Sequence, residues 1–546
     1  MFAIVNGAKV GAFSLVFYDT WKPLNMAAFH GVQALALALP VWYVLIRLPT
    51  TAVGFWVLQA TFLFCNAVYY DYFHRYLDLR VSAQLLFEGL NTAPKIGSLM
   101  HPLYLALLVD FPVLLVTVRS LLCPRGWKPA AAVGATTVVL LGSLELVNSL
   151  KHESLRHLLS KPGSGDVANF YGEEAVVKRY GLLLNILLSY VSSGDEGAQF
   201  AAVASTRRIV SKDRPNSQPN LVAIQVESLD AAMVGLTVDG KLVMPFLTDL
   251  SKRSFYRAHT LVYHGVGGTS DAEFSIINSM PPPEHICALK SRSYSYPNSI
   301  VKSLRAAGYE AVAFHGNSKS FYNRNSAFAA MGFNRFFDLS DAGHLLEPQW
   351  GSLDSNMFQY GLEILKRTPK PWFSFTITLE SHMPWRSYRS HQQPERFPFL
   401  KHGPERDYLE SMVHVDQALA WYVSAIRQEF PDAVVFIWGD HSPGMIGSEV
   451  LCPAIITRGG VRMEFVPFIV VGPGIPSDTM DQIGATFLDI GPTILSCSKV
   501  PYRIFSDGIV LIVDSNEVPM LRYHGLSLER VSFAAEIRRN LAVNCR

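Results

Sequence analysis

The apolar residues of this chain are unevenly placed, and that constrains its fold more than any other feature. The long apolar runs fall before residue 150, and those after it are short, as in a globular core. Four early runs are long enough to cross a bilayer as helices: 29–46, 51–70, 103–118 and 129–147. A fifth segment, 2–18, is weaker because Lys9 interrupts it. No small-residue cleavage site follows a short apolar core, so it is not read as a cleaved signal peptide. The expected architecture is an N-terminal transmembrane α-helical bundle of four or five helices over 1–148, followed by a soluble domain. The loop 119–128 carries three Lys/Arg and reads as cytoplasmic. Arg75, Arg80, Lys95, Lys151 and Arg156 weaken that asymmetry. With 119–128 inside, the span at 129–147 delivers everything after it to the outer side. Tyr69, Tyr70 and Tyr72 sit where an interfacial aromatic belt would lie. Asp110, an acid inside a span, is read as an interhelical hydrogen-bond partner beside Pro112.

The net charge of +2 and the lack of a basic run exclude a nucleic-acid reading. Six cysteines are present, and no pair has the short spacing of a zinc site. Cys287, Cys452, Cys497 and Cys545 fall in the soluble part, where an oxidising compartment would let them pair; their spacing identifies no partners. Residues 149–219 read as a linker with a helical stretch at 173–191, too short in its apolar part to span. That helix either lies along the bilayer surface or packs on the soluble domain.

From residue 220 the pattern becomes strand, loop, helix, repeated. Short apolar runs at 221–229, 309–316, 372–379, 433–441 and 466–474 read as buried strands. Residues 244–254, 298–308 and 406–430 read as helices. This predicts a soluble α/β domain with a mainly parallel central sheet over 220–500. Residues 501–546 read as its C-terminal extension, with an edge strand pair near 504–515.

In such sheets ligands bind at the carboxyl ends of strands. Four strands end in polar residues: Glu227-Ser228, His315-Gly316-Asn317, Glu380-Ser381-His382 and Asp440-His441. Glu227, Asp440 and His441 suit Mn²⁺, Mg²⁺ or Zn²⁺. The glycine-rich stretch GVGGTSDAEF, residues 265–274, leads into Thr269. On that stretch alone Thr269 reads first as a helix N-cap; beside a cation held by Glu227, Asp440 and His441 it reads also as an activated nucleophile, and the two roles are compatible. His315, Arg324 and His382 suit neutralising a phosphodiester and protonating a leaving alkoxide, and Tyr322 would bound a head group. Arg324 alone also reads as a surface charge, and His382 before Met383-Pro384 as a turn residue.

In order along the chain stand VAIQVESL, GGTSDAEFSIINSM, AVAFHGNSKSFYNRNSAFAAMGF, WFSFTITLESHMPW, YLESMVHVDQAL, FIWGDHSP and VPFIVVGPG. These resemble the extracellular domain of lipoteichoic acid synthase and its phosphoglycerol transferase relatives, in the alkaline phosphatase/sulfatase superfamily. YYDYFHRYLDL and VVKRYGLL extend the resemblance into the membrane half and linker. It implies that Glu227, Thr269, Asp440 and His441 hold one divalent metal, Mn²⁺ first. It implies that Thr269 attacks the phosphate of phosphatidylglycerol, releasing diacylglycerol, and that His315, Arg324, His382 and Tyr322 line the phosphate and glycerol site. The acceptor would be a glycerophosphate polymer or a periplasmic glucan, and the setting a bacterial inner membrane with the catalytic domain outside. Tyr322 stands where the family often has Trp, and the segment 280–297 is this chain's own. The rivals are a phosphoethanolamine transferase, a sulfatase or phosphodiesterase-type hydrolase, and a catalytically dead sensor. The Cys/Ser-x-Pro-x-Arg pattern that sulfatases resemble is absent at Thr269, and all four proposed ligands are present.

Overall fold

The computed structural model describes residues 10, 54 and 57–67, and 196–546 except 212–217, 285, 343–350, 392, 444–449, 459–460, 479–481, 514–518, 524–525 and 545–546. The chain divides into two compact units, one of 1–83 with 92–193 and one of 84–91 with 194–546. In the first unit, residues 57–67 are helical, inside the predicted span 51–70. Among the described residues no helix is long and apolar enough to cross a membrane. The expected spans at 29–46, 103–118 and 129–147, all of 2–18 but Val10, and the 173–191 helix lie outside the described residues. So do Asp110, the 119–128 loop and Tyr69, Tyr70 and Tyr72.

The second unit is built on a nine-stranded sheet. Its strands are β1 (Leu221–Val226), β2 (Phe255–Leu261), β3 (Glu310–His315), β4 (Arg335–Phe337), β5 (Trp372–Ile377), β6 (Val434–Gly439), β7 (Ile455–Arg458), β8 (Val461–Val471) and β9 (Ala485–Thr486). They lie in the order β9-β2-β8-β6-β1-β5-β3-β4, with β7 pairing β8 off this path. β1, β5 and β6 are buried at every position, which is why they read as unbroken apolar runs.

The sheet is mixed, not mainly parallel as expected. β1 pairs in parallel with β5 and β6, and β3 with β4 and β5, but β8 is antiparallel to β2, β6 and β7. Only Gly459-Gly460 separates β7 from β8. A parallel pairing needs a crossover of a dozen residues or more, so β8 doubles back and enters the sheet reversed. β2 was not anticipated at all, because His259 and Arg257 interrupt its apolar pattern.

Helices cover the sheet. The helix α1 (Thr269–Asn278) is buried on nearly every residue after the first, and the 26-residue helix α2 (Pro404–Glu429) packs its apolar face on the core. The stretch read as the end of the linker is part of this unit. Glu196–Val203 is a helix whose Phe200 stacks on Tyr294 at 3.7 Å between centroids and tilts against Phe274 of α1 at 5.9 Å. Arg208–Ser211 pairs antiparallel with Tyr502–Phe505, so the strand pair expected over 504–515 is not formed: one strand ends at Phe505, residues 506–513 form none, and the partner comes from the other end of the domain. Phe200→Ala is expected to destabilise the domain by about 3 kcal/mol, since it empties a buried aromatic site. Thermal unfolding of the variant checks this. Cys287 and Cys497 are buried thiols outside any disulfide, whereas Cys452 is disulfide-bonded.

Candidate active site

The carboxyl ends of β1 and β6 meet closely. A Cβ on Gly439 would lie 2.0 Å from the Leu229 carbonyl oxygen, so only glycine permits that approach. The candidate ligands come next on each strand's path: Glu227 after β1, Asp440 and His441 after β6. Ser228 is left-handed at φ 54° despite its side chain, a strained geometry typical of sites. Its N–H donates to Asp440 Oδ1 at 2.7 Å and its hydroxyl to Glu227 Oε1 at 2.9 Å.

Ligand atoms of Glu227, Asp440 and His441 all lie within 4.8 Å of one another. Asp440 Oδ1 accepts from the N–H groups of Ser228 and His441, but Oδ2 is buried without a hydrogen bond. A buried carboxylate oxygen left so is costly unless a cation meets it. His441 Nδ1 donates to the Ser442 carbonyl at 2.8 Å, which leaves Nε2 facing Glu227 at 3.4 Å and Asp440 at 3.5 Å. The donor set therefore fits a divalent cation. Burial lowers the His441 pKa, but Asp440 and Glu227 outweigh it and raise it well above the usual value. Burial and the charge of Glu227 push Asp440 well up. Burial would also raise Glu227, yet His382 and His441 hold it well below the carboxylate range. Behind these groups, Ser442 N–H donates to Glu464 Oε2 at 3.2 Å, and Glu464 pairs with His264 and Arg462.

Thr269 is the first residue of α1, but its hydroxyl is not a cap. The N-cap is Gly268, at φ 56°, with no side-chain cap bond. Thr269 Oγ1 donates to Glu227 Oε2 at 3.1 Å instead. The turn is closed by Asp271, whose Oδ2 accepts from the N–H groups of Gly265 at 2.7 Å and Gly267 at 2.9 Å. A Cβ on Gly267 would meet Ser270 Oγ at 2.4 Å, so the glycine is required. Gln225 Nε2 donates to the Thr269 carbonyl at 3.3 Å, tying the helix start to β1. The cap expectation thus gives way, because the hydroxyl is turned toward the carboxylates.

His315, at the end of β3, is buried, and its Nδ1 donates to the Ile377 carbonyl at 3.1 Å. Burial, then the Arg324 charge, pull its pKa down to about 3, so the ring is neutral with Nε2 as an acceptor. His382 is half-buried, its Nδ1 donating to the Met383 carbonyl at 2.8 Å. Arg324 is not a surface charge: it is 2% exposed. Its Nε contacts both carboxylate oxygens of Glu273 at 3.1 Å and its Nη2 contacts Oε1 at 2.6 Å. Burial lowers the Arg324 pKa, but Glu273 outweighs it and raises it. The Tyr322 ring lies 5.3 Å from the guanidinium carbon. Glu273 was missed in the sequence. Its signal is its place four residues after Thr269 on one helix, which puts both on the same face.

Residues 219–500 match the Sulfatase family, and the chain belongs to that family. Among curated relatives it is similar to the lipoteichoic acid synthase-like protein YvgJ of Bacillus subtilis, 25% identical over 79% of this chain and 73% of that one. It is similar also to lipoteichoic acid synthase 2 of the same organism, 23% identical over 84% of this chain and 74% of that one. Among solved structures, the integral membrane lipooligosaccharide phosphoethanolamine transferase A of Neisseria meningitidis shares the fold. It covers 92% of this chain and 96% of its own, at 14% identity and a TM-score of 0.57.

Proposed function

We propose that this protein is a membrane-bound phosphoglycerol transferase that moves glycerophosphate from phosphatidylglycerol to a hydroxyl of a glycan or glycerophosphate polymer. The observation that carries the reading is the Thr269 hydroxyl turned onto Glu227 beside Asp440 and His441. Glu227, Asp440, His441 and Thr269 would hold one divalent cation, Mn²⁺ first and Mg²⁺ or Zn²⁺ otherwise. Such an ion supplies positive charge that favours the threonine alkoxide and a phosphoryl oxyanion. Thr269, whose hydroxyl proton would leave to solvent when the cation is bound, attacks as the alkoxide: its Oγ forms a bond to phosphorus as the bond from phosphorus to the diacylglycerol oxygen breaks. His382 gives that oxygen its proton. The glycerophosphoryl-Thr269 ester is then attacked by the acceptor hydroxyl, His382 taking its proton, and Thr269 is released. Arg324 Nη1 meets a phosphoryl oxygen, His315 Nε2 accepts a head-group hydroxyl, and Tyr322 bounds the head group.

Residues 1–148 are assigned to a membrane domain, 149–193 to a linker, 194–500 to the catalytic domain and 501–546 to its extension, with catalysis on the outer face of a bacterial inner membrane. The fold shared with an integral membrane transferase over 92% of this chain supports the anchoring. The same likeness favours a second reading, phosphoethanolamine transfer, and the family name admits a hydrolase of sulfate or phosphate esters. The commitment of the site's carboxylates supports glycerol: Glu227 and Asp440 face the metal position and Glu273 is paired with Arg324, so an ammonium head group finds none of them spare. The full chain in detergent with Mn²⁺ is expected to release diacylglycerol from phosphatidylglycerol and to gain a glycerophosphate adduct on Thr269 by intact mass. Turnover of phosphatidylethanolamine alone would establish the second reading. Water as the sole acceptor would establish the hydrolase.

A further inference from the structure

We propose that Glu273 is a positioning residue for phosphate recognition, fixing Arg324 so that one edge of its guanidinium faces the phosphorus attacked by Thr269. The inference rests on the site being one of phosphoryl transfer and extends it to a residue outside the ligand set.

The geometry of the pair is directional. Glu273 takes Nε and Nη2 of Arg324 through three contacts of 2.6 to 3.1 Å. A guanidinium is planar, so holding one edge with both carboxylate oxygens fixes the ring of donors in space and leaves Nη1 as the nitrogen without a carboxylate. Both partners are buried, at 2% and 0% side-chain exposure. A buried pair of this kind contributes little net stability compared with apolar residues of the same size, so cohesion between α1 and the helix at Arg324–Met331 is a weak reason for it.

The anchor and the nucleophile sit on one rigid element. Glu273 is one helical turn from Thr269, a rise of about 6 Å, so the helix itself sets the distance between the attacking oxygen and the carboxylate that aims the guanidinium. The approach to Arg324 is over-determined as well. Tyr322 and Asn323 are left-handed at φ 55° and 58°, and Asn323 Nδ2 donates to the Leu289 carbonyl at 3.1 Å. Two strained residues, a side-chain tether and a bidentate carboxylate all act on the placement of one guanidinium. His315, buried beside it, is held neutral partly by the Arg324 charge. The phosphate pocket is thus given an oriented donor rather than a mobile cation.

The test uses the full chain in detergent with Mn²⁺ and phosphatidylglycerol. Glu273→Gln is expected to lower kcat/KM by about 10- to 100-fold, mostly in kcat, and to add nothing in an Arg324→Ala background. Arg324→Ala is expected to regain at least about 10-fold in rate with added guanidinium chloride, and the Arg324→Ala/Glu273→Gln double variant to regain none. A purely structural tie would not make rescue depend on Glu273. Rescue of the double variant, a single Glu273→Gln within threefold of the parent, or loss of folded protein in both Glu273→Gln and Glu273→Asp would overturn the proposal. If the parent turns over phosphatidylethanolamine or bis(p-nitrophenyl) phosphate instead, the donor reading fails while the same rescue experiment, read on that substrate, still decides the role of Glu273.

Discussion

Thr269→Ala is expected to lower turnover by about 10⁴-fold or more, because the variant lacks the proposed nucleophile and only binding and electrostatic terms remain. Stability is expected to change by less than about 1 kcal/mol, since one half-buried side-chain hydrogen bond is lost. The contrast is what makes the variant informative. A helix cap would cost stability and spare catalysis, but the cap position here is Gly268 and the hydroxyl points to Glu227. Diacylglycerol release and thermal unfolding, measured on the same preparation, check both halves. Thr269→Ser, which keeps a hydroxyl, is expected to retain part of the rate. A Thr269→Ala variant that turns over normally would remove the nucleophile assignment.

The second large effect falls on Asp440→Asn. Loss of outer-shell partners of metal ligands costs about 10- to 100-fold in affinity, so loss of a ligand carboxylate is expected to weaken Mn²⁺ binding by more than about 100-fold and abolish turnover. The metal-free protein should not be destabilised. Asparagine keeps an oxygen for the N–H groups of Ser228 and His441 while removing a charge that burial and Glu227 disfavour.

The pH dependence follows with the same sign from two groups. The folded-state values of Asp440 and His441 are both raised. Their stabilisation is complete below the unfolded values of about 4 and about 6.5 and is lost as pH rises through the folded ones. Glu227, held low, acts the other way and only below about 4.3. The contribution of Asp440 and His441 should therefore fall as pH rises above about 4, so the metal-free parent should lose stability relative to Asp440→Asn over that range. In the parent, Mn²⁺ at 100 times its dissociation constant should restore about 2.7 kcal/mol, and in the variant almost none. Calorimetric titration and melts with and without chelator decide between these outcomes. A variant that binds Mn²⁺ like the parent would remove Asp440 from the ligand set.

Much of the site was legible because of how parallel strands work. Each buried apolar run at 221–226, 310–315, 372–377 and 434–439 ends at the same sheet edge, so the polar residues that follow converge there. The direction of β8 was not legible from a window centred on 466–474, because a buried strand has the same composition in either direction. What reverses it is the two-residue link to β7, whose strand character is weak.

The sequence by itself determined which residues could meet: short apolar strands followed by Glu227, His315, His382 and Asp440-His441, and a glycine turn delivering Thr269. Local periodicity and strand-end chemistry suffice for that, because neighbouring residues set them. The tertiary structure decided what those residues do. It turned the Thr269 hydroxyl from a cap to Glu227, buried Arg324 against Glu273 across 51 residues of chain, and paired Arg208–Ser211 with Tyr502–Phe505 across almost 300. Such pairings depend on where separate elements pack, and no local pattern encodes the far partner.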